Sequence, residues 1–74
     1  MSLVAIAKAY TDCIELEQRI QQESPSLLGD ISVLRADLHA LLMEALHQAN
    51  ISFIDRSHAT RLAYDIIQGK QIAS

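Results

Sequence analysis

From Leu3 to about Gln22 the apolar residues return every three or four positions: Leu3, Ile6, Tyr10, Cys13 and Ile20 form a stripe, flanked by Ala9 and Leu16. Lys8, Thr11, Asp12, Glu15, Gln18, Arg19 and Gln22 fall on the opposite arc. A helical period with one wet side predicts an amphipathic helix over residues 3–22. Lys8 with Asp12 and Glu15 with Arg19 are opposite charges four residues apart, each adding about 0.2–0.5 kcal/mol to it. Glu17 breaks the pattern, because it stands between Cys13 and Ile20 inside the apolar stripe.

Two starts compete for the next helix. Ser24 can cap a helix with Pro25 at its first position, where the missing N–H is not needed. Alternatively residues 24–29 form a loop and Asp30 caps a helix that begins at Ile31. Periodicity favours the longer helix, since Leu27, Leu28 and Ile31 share a face with Leu34, Leu38, Leu41, Leu42, Ala45 and Ala49. Gly29 opposes it by about 1 kcal/mol relative to alanine. The helix is therefore placed over residues 25–49, about 37 Å long at 1.5 Å per residue. Asn50 suits the left-handed position beyond a helix end, and Ile51 can then close on Leu46 in a Schellman motif.

Residues 51–54 follow as an extended connector whose Phe53 and Ile54 are expected to plug the end of the bundle. Asp55 or Ser57 caps a third helix over 57–68, with Ala59, Leu62, Ala63 and Ile66 inward and Arg61 paired to Asp65. Gly69 ends it, and residues 70–74 read as a frayed tail. The pattern predicts an all-α, single-domain chain of three helices over residues 1–74, forming a small bundle about the second helix.

That second helix carries another stripe roughly opposite its leucines: Gly29, Val33, Ala36, Ala40, Met43 and His47, at steps of four, three, four, three and four. Asp37, Glu44 and Gln48 are confined to a narrow strip beside it. A helix face turned to water normally carries charge, so this one is expected to be covered. Within one bundle the third helix could cover it. The third helix is only about half as long, however, and a second copy of the chain, most simply in a two-fold dimer, completes the cover better. Small residues at 29, 36 and 40 permit close backbone approach, and Met43 fills irregular gaps.

Chain length sharpens this expectation. Seventy-four residues sit near the size at which a single core barely outweighs conformational entropy, and such chains usually add disulfides, a metal or a partner. Cys13 is the only cysteine, so an intrachain disulfide and a four-cysteine zinc site are both excluded. A homo-oligomer, with a dimer favoured, is the remaining route. Nine acidic against six basic side chains give a net charge of −3, and the basic residues are scattered. Direct nucleic-acid binding, which needs a dense basic footprint, is not expected; if present it would use Arg56, Arg61 and Lys70 from two copies. No stretch approaches the roughly 18 uncharged apolar residues of a membrane span. The apolar run at Leu3 to Ala7 is too short for a signal-peptide core and lacks a basic leader. The expectation is a cytoplasmic protein with a reduced Cys13.

Candidate chemistry is sparse. A carboxylate in an apolar stripe must find a partner, reach water or keep its proton; Arg35, at the edge of the second helix's apolar face, is the natural mate of Glu17, and a functional acid is the minority reading. His39, Met43 and His47 follow at four-residue steps, but two histidines two turns apart are about 12 Å from each other, too far to share a metal within one chain. His58 begins the third helix nearby, and these histidines are expected at an interface or in solvent. Cys13 lies on the apolar stripe without a visible base and reads as core. Phosphate-binding glycine loops, Ser-His-Asp order, the glutamate pairs of all-helical nucleotide pyrophosphohydrolases and the basic recognition helix of helix-turn-helix repressors are all missing.

The sequence thus points to a non-enzymatic protein–protein interaction module, an adaptor, regulator or accessory subunit, that self-associates through Gly29, Val33, Ala36, Ala40, Met43 and His47. No catalytic residue, cofactor or metal is assigned. The alternative is a ligand-binding or enzymatic bundle that uses Glu17, Arg35 and His39 at a cleft between the first two helices.

Overall fold

The computed structural model describes residues 2–69. Three helices follow one another, α1 (Leu3–Glu23), α2 (Leu28–Gln48) and α3 (Arg56–Ile67), with a 3₁₀ turn (Pro25–Leu27) leading into α2 and no strand among the described residues. The all-α, three-helix fold expected from periodicity is the fold observed. The expected tail at 70–74 lies outside the described residues.

Each helix end has a local cause. Ser2 caps α1, its hydroxyl accepting the Ala5 N–H at 3.1 Å. Pro25 occupies the first position of the 3₁₀ turn, and Ser24 makes no side-chain cap bond there. Helical structure therefore does begin at Pro25, but its first turn is wound tighter, and α geometry starts at Leu28, ahead of Asp30. Asp30 lies in the first turn of α2, where its charge faces the positive end of the helix dipole. The far end closes as a Schellman motif: Asn50 has φ 60°, the Ile51 N–H donates to the Leu46 carbonyl at 2.9 Å, and the Asn50 N–H donates to that of His47 at 3.0 Å.

Asp55 caps α3 by accepting the His58 N–H at 2.8 Å. The Nδ1 of His58 accepts the Ile54 N–H at 3.0 Å, so the two side chains satisfy donors reciprocally, as serine and glutamate do in a capping box. Gly69, at φ 72°, ends the helix.

The core is a single cluster of Ile6, Ala7 and Tyr10 from α1, Leu42 and Leu46 from α2, and Ala59, Leu62 and Ala63 from α3. Alanines at 7, 59 and 63 are fully buried and let the helices carrying them approach closely. The shared partner is α1, which packs along both α2 and α3, whereas those two touch each other less. The bundle is therefore built around α1, where the pattern had pointed to the second helix.

Three further positions differ from the pattern. Thr11, placed on the wet arc by its polarity, is buried because its hydroxyl donates to the Lys8 carbonyl at 3.1 Å and its methyl can join a core. Ile54, expected to plug the bundle, is exposed, while Phe53 does pack against the core. The largest difference is the rotation of α2. Leu27, Leu34 and Leu41, taken as core, are about half exposed, while His39 and Leu46 are buried in their stead. Polar bonds accompany that rotation: Arg35 reaches Glu17 on α1 and His39 reaches a carbonyl at the start of α3, and both residues face inward to do so.

Candidate functional site

The small-residue stripe of α2 is open. Gly29, Val33, Ala36, Ala40 and His47 are all exposed, Val33 by 63%, and only Met43 tucks partly against the core. Within the chain α3 does not cover this face. Beyond its own helical turn, no atom lies within 4 Å of the position a Cβ of Gly29 would take. Beside the stripe runs the polar strip, in which the Gln48 side-chain amide approaches Glu44 at 3.5 Å. Beyond the strip, Leu27, Leu34 and Leu41 repeat every seven residues, and Ile20, Leu27, Ile31 and Leu34 line a shallow apolar groove between α1 and α2. That these leucines face outward is not legible in the chain, because a wide apolar arc does not say which part of itself is covered.

Glu17 and Arg35 form an ion pair, with Nε to Oε2 at 2.9 Å. Ser32 donates its hydroxyl to the same oxygen at 3.0 Å. The two side chains are 22% and 35% exposed respectively, so the pair is half-buried at the α1–α2 seam. The Arg35 guanidinium, helped by Ser32 and opposed by desolvation, holds the Glu17 carboxyl below the usual carboxylate range. The same bond pushes the guanidinium of Arg35 further up. A carboxylate held ionised and bonded on one oxygen by two donors is suited to fixing a seam and poorly suited to general-acid chemistry.

His39 does not join Glu17, and it is neither interfacial nor in solvent: it is 3% exposed. Its Nε2 lies 3.2 Å from the Arg56 carbonyl oxygen, and its ring meets that of Tyr10 edge-on at 5.3 Å. A carbonyl can only accept, so Nε2 is the donor in this contact. Nδ1 is buried without a hydrogen-bond partner. The Tyr10 and Thr60 hydroxyls are 2.9 Å apart, and Thr60 donates to the Arg56 carbonyl at 3.2 Å. Polar groups of all three helices thus converge on the first turn of α3.

Cys13 is buried, and loss of solvent, reinforced by the charge of Glu17 and opposed by that of Arg35, pushes its thiol up. A protonated thiol is a poor nucleophile. No group of three or more His, Cys, Asp or Glu side chains that could hold a metal occurs among the described residues, and no described helix is long and apolar enough to cross a membrane. Arg56 and Arg61 lie exposed on α3; Lys70 is outside the described residues. Sequence reasoning missed Tyr10, Thr60 and Ser57 as companions of His39. The available signal was two hydroxyl side chains in the first turns of a helix whose cap, Asp55, was legible.

Comparison with models of protein families, with curated proteins and with solved structures finds no match.

Proposed function

We propose that the chain is a protein–protein interaction module that pairs with a second copy of itself through Gly29, Val33, Ala36, Ala40, Met43 and His47. The observation that carries the reading is Gly29. Within a helix glycine costs up to about 1 kcal/mol relative to alanine, and nothing in its own chain stands where a Cβ would go. Packing within the chain supplies no reason for it, whereas another backbone crossing at that point does.

The steps of the stripe read the same in both directions, so an antiparallel two-fold crossing centred between Ala36 and Ala40 sets Ala36 against Ala40 of the second copy. It sets Val33 against Met43, and Gly29 against His47. Two alanines then meet at the centre and the bulky His47 meets Gly29, which permits close helix packing. The acidic exterior favours proteins over nucleic acid as further partners, a cytoplasmic location keeps Cys13 reduced, and the reading assigns no catalytic step.

Light scattering after size exclusion tests it. The chain is expected to run as a dimer at micromolar concentration, and Ala40→Glu, at an exposed site, to give a helical monomer. Ala36→Glu combined with Ala40→Lys restores the dimer, because in the antiparallel register each charge faces its opposite. A monomeric parent chain overturns the reading.

A further inference from the structure

The seam between α1 and α2 has an outer edge that belongs neither to the core nor to the small-residue stripe. Leu27, Ile31, Leu34, Leu38, Leu41 and Ala45 step by four, three, four, three and four along α2, the spacing by which one helix packs lengthwise on another. Ile31 is buried and Leu38 and Ala45 pack against the core, while Leu27, Leu34 and Leu41 stay about half exposed. Half of the repeat therefore serves the fold and the other half is bare. Two shallow grooves open along the bare half, one where Ile20 meets Leu27 and Leu34, the other where Ile6 meets Leu41. From Leu27 to Leu41 the row runs about 21 Å at 1.5 Å per residue.

The charge beside these leucines selects the occupant. Three residues after each of them comes an acid, Asp30, Asp37 and Glu44, and all three acids are exposed. Asp30 lines the first groove and Glu44 the second. No Lys or Arg stands three or four residues from any of them, and among the described residues no cation forms an ion pair with them. On α1, by contrast, Asp12 is paired with Lys8. The apolar row is thus edged along its length by three uncompensated negative charges.

A second copy does not complement such an edge. Two α2 helices set antiparallel on their leucine rows bring acid against acid. Set parallel, the acids face positions 28, 35 and 42, where Leu42 is buried and Arg35 is bonded to Glu17. The cations of the other helices do not match the spacing, since Lys8 and Arg19 are eleven residues apart and Arg56 and Arg61 five.

We propose that the row of Leu27, Leu34 and Leu41 docks an amphipathic helix of a different protein, one that carries Lys or Arg at seven-residue spacing beside its apolar face. Its apolar side chains cover the leucines, as in other complexes that seat a helix in a groove. Its cations meet Asp30, Asp37 and Glu44, which choose the partner and speed its approach. The acidic strip separates this row from the stripe of Gly29 to His47, so docking does not require a dimer.

The probe is a synthetic helical peptide of about eighteen residues, long enough to span the row, with leucine on one face and lysine at every seventh position beside it. A twin peptide carries glutamate at the lysine positions. Each is titrated into the full chain and followed by amide chemical shifts. The lysine peptide is expected to move the amides of Leu34, Asp37 and Leu41 saturably, to bind at least about tenfold tighter than its twin, and to lose much of that margin in about 0.5 M salt. Asp37→Lys, at an exposed site, is expected to cut the preference about tenfold or more. Glu15→Lys, the same change of charge on α1 outside both grooves, keeps it within about twofold. Equal binding of the two peptides, shifts confined to other residues, no saturable shift at all, or an Asp37→Lys chain with the parent's preference overturns the proposal. Loss of self-association in Leu34→Ala overturns it as well, because the row would then belong to a second copy.

Discussion

Replacing Glu17 by glutamine removes one charge from the α1–α2 seam while leaving an amide oxygen that can still accept from Ser32 and Arg35. The loss expected follows from where the pair sits. A fully buried ion pair stripped of one partner costs about 3–5 kcal/mol, because the remaining charge is stranded. A fully exposed pair is worth about 0–1 kcal/mol. With side chains 22% and 35% exposed, water can reach Arg35 once Glu17 is neutral, and the lower end applies. The hydrogen bonds at 2.9 and 3.0 Å raise the figure above a surface pair. The expected loss is about 1–1.5 kcal/mol, which in a domain of this size lowers Tm by about 4–12 °C.

The pH dependence has a definite sign. The folded carboxyl titrates below its ordinary value of 4.5, chiefly because Arg35 binds its charged form. Between the folded and unfolded values the unfolded chain binds more protons, so the contribution of the pair is complete above the unfolded value and disappears as pH falls through the folded one. Urea unfolding of both proteins, from about pH 6 to about pH 3, should show the parent's advantage shrinking with acid while Glu17→Gln lacks that part of the slope. Parallel curves would refute the pairing as the origin of the effect. A loss above about 3 kcal/mol would refute the claim that water screens the seam.

Leu41 and Leu42 are neighbours with opposite fates, one 46% exposed and the other fully buried. Leu42→Ala is expected to cost about 2–5 kcal/mol and Leu41→Ala about 1 kcal/mol or less in the monomer, measured by thermal unfolding of dilute protein. Asn50 holds a left-handed backbone, so Asn50→Gly should be neutral or slightly stabilising, whereas Asn50→Val should lose about 1–2 kcal/mol. Equal stability of those two chains would remove the Schellman closure from the account. Asp55→Ala should cost about 1 kcal/mol and reduce helicity at residues 56–58 by amide exchange, since it deletes the acceptor of the His58 N–H.

Features decided by local chemistry were readable in the chain. The Schellman closure at Asn50, the cap at Asp55 and the stop at Gly69 depend on conformational preferences of single residues, and each stands where those preferences put it. The partnership of Glu17 and Arg35 was readable as well, because a carboxylate inside an apolar stripe poses a question that few residues can answer. The rotation of α2 was not. Its apolar residues cover well over half of the helix circumference, so periodicity fixes the helix but leaves open which leucines are covered. Thr11 and His39 were misplaced for a related reason: polarity was taken as a vote for solvent, although a threonine bonded to its own helix and a histidine bonded to a carbonyl both bury at little cost.

That rotation links the stability of the molecule to the surface it shows. Turning Arg35 and His39 inward joins α2 to both neighbours, but it swings Leu34 and Leu41 out and leaves the small-residue stripe bare. A chain with so little core would gain more from burying those leucines, roughly 25 cal/mol for each Å² removed from water, than from one half-screened ion pair, so the pair does not earn its place through stability in the monomer alone. The geometry becomes economical if the exposed faces are covered by a second chain. That condition is read by the oligomeric state.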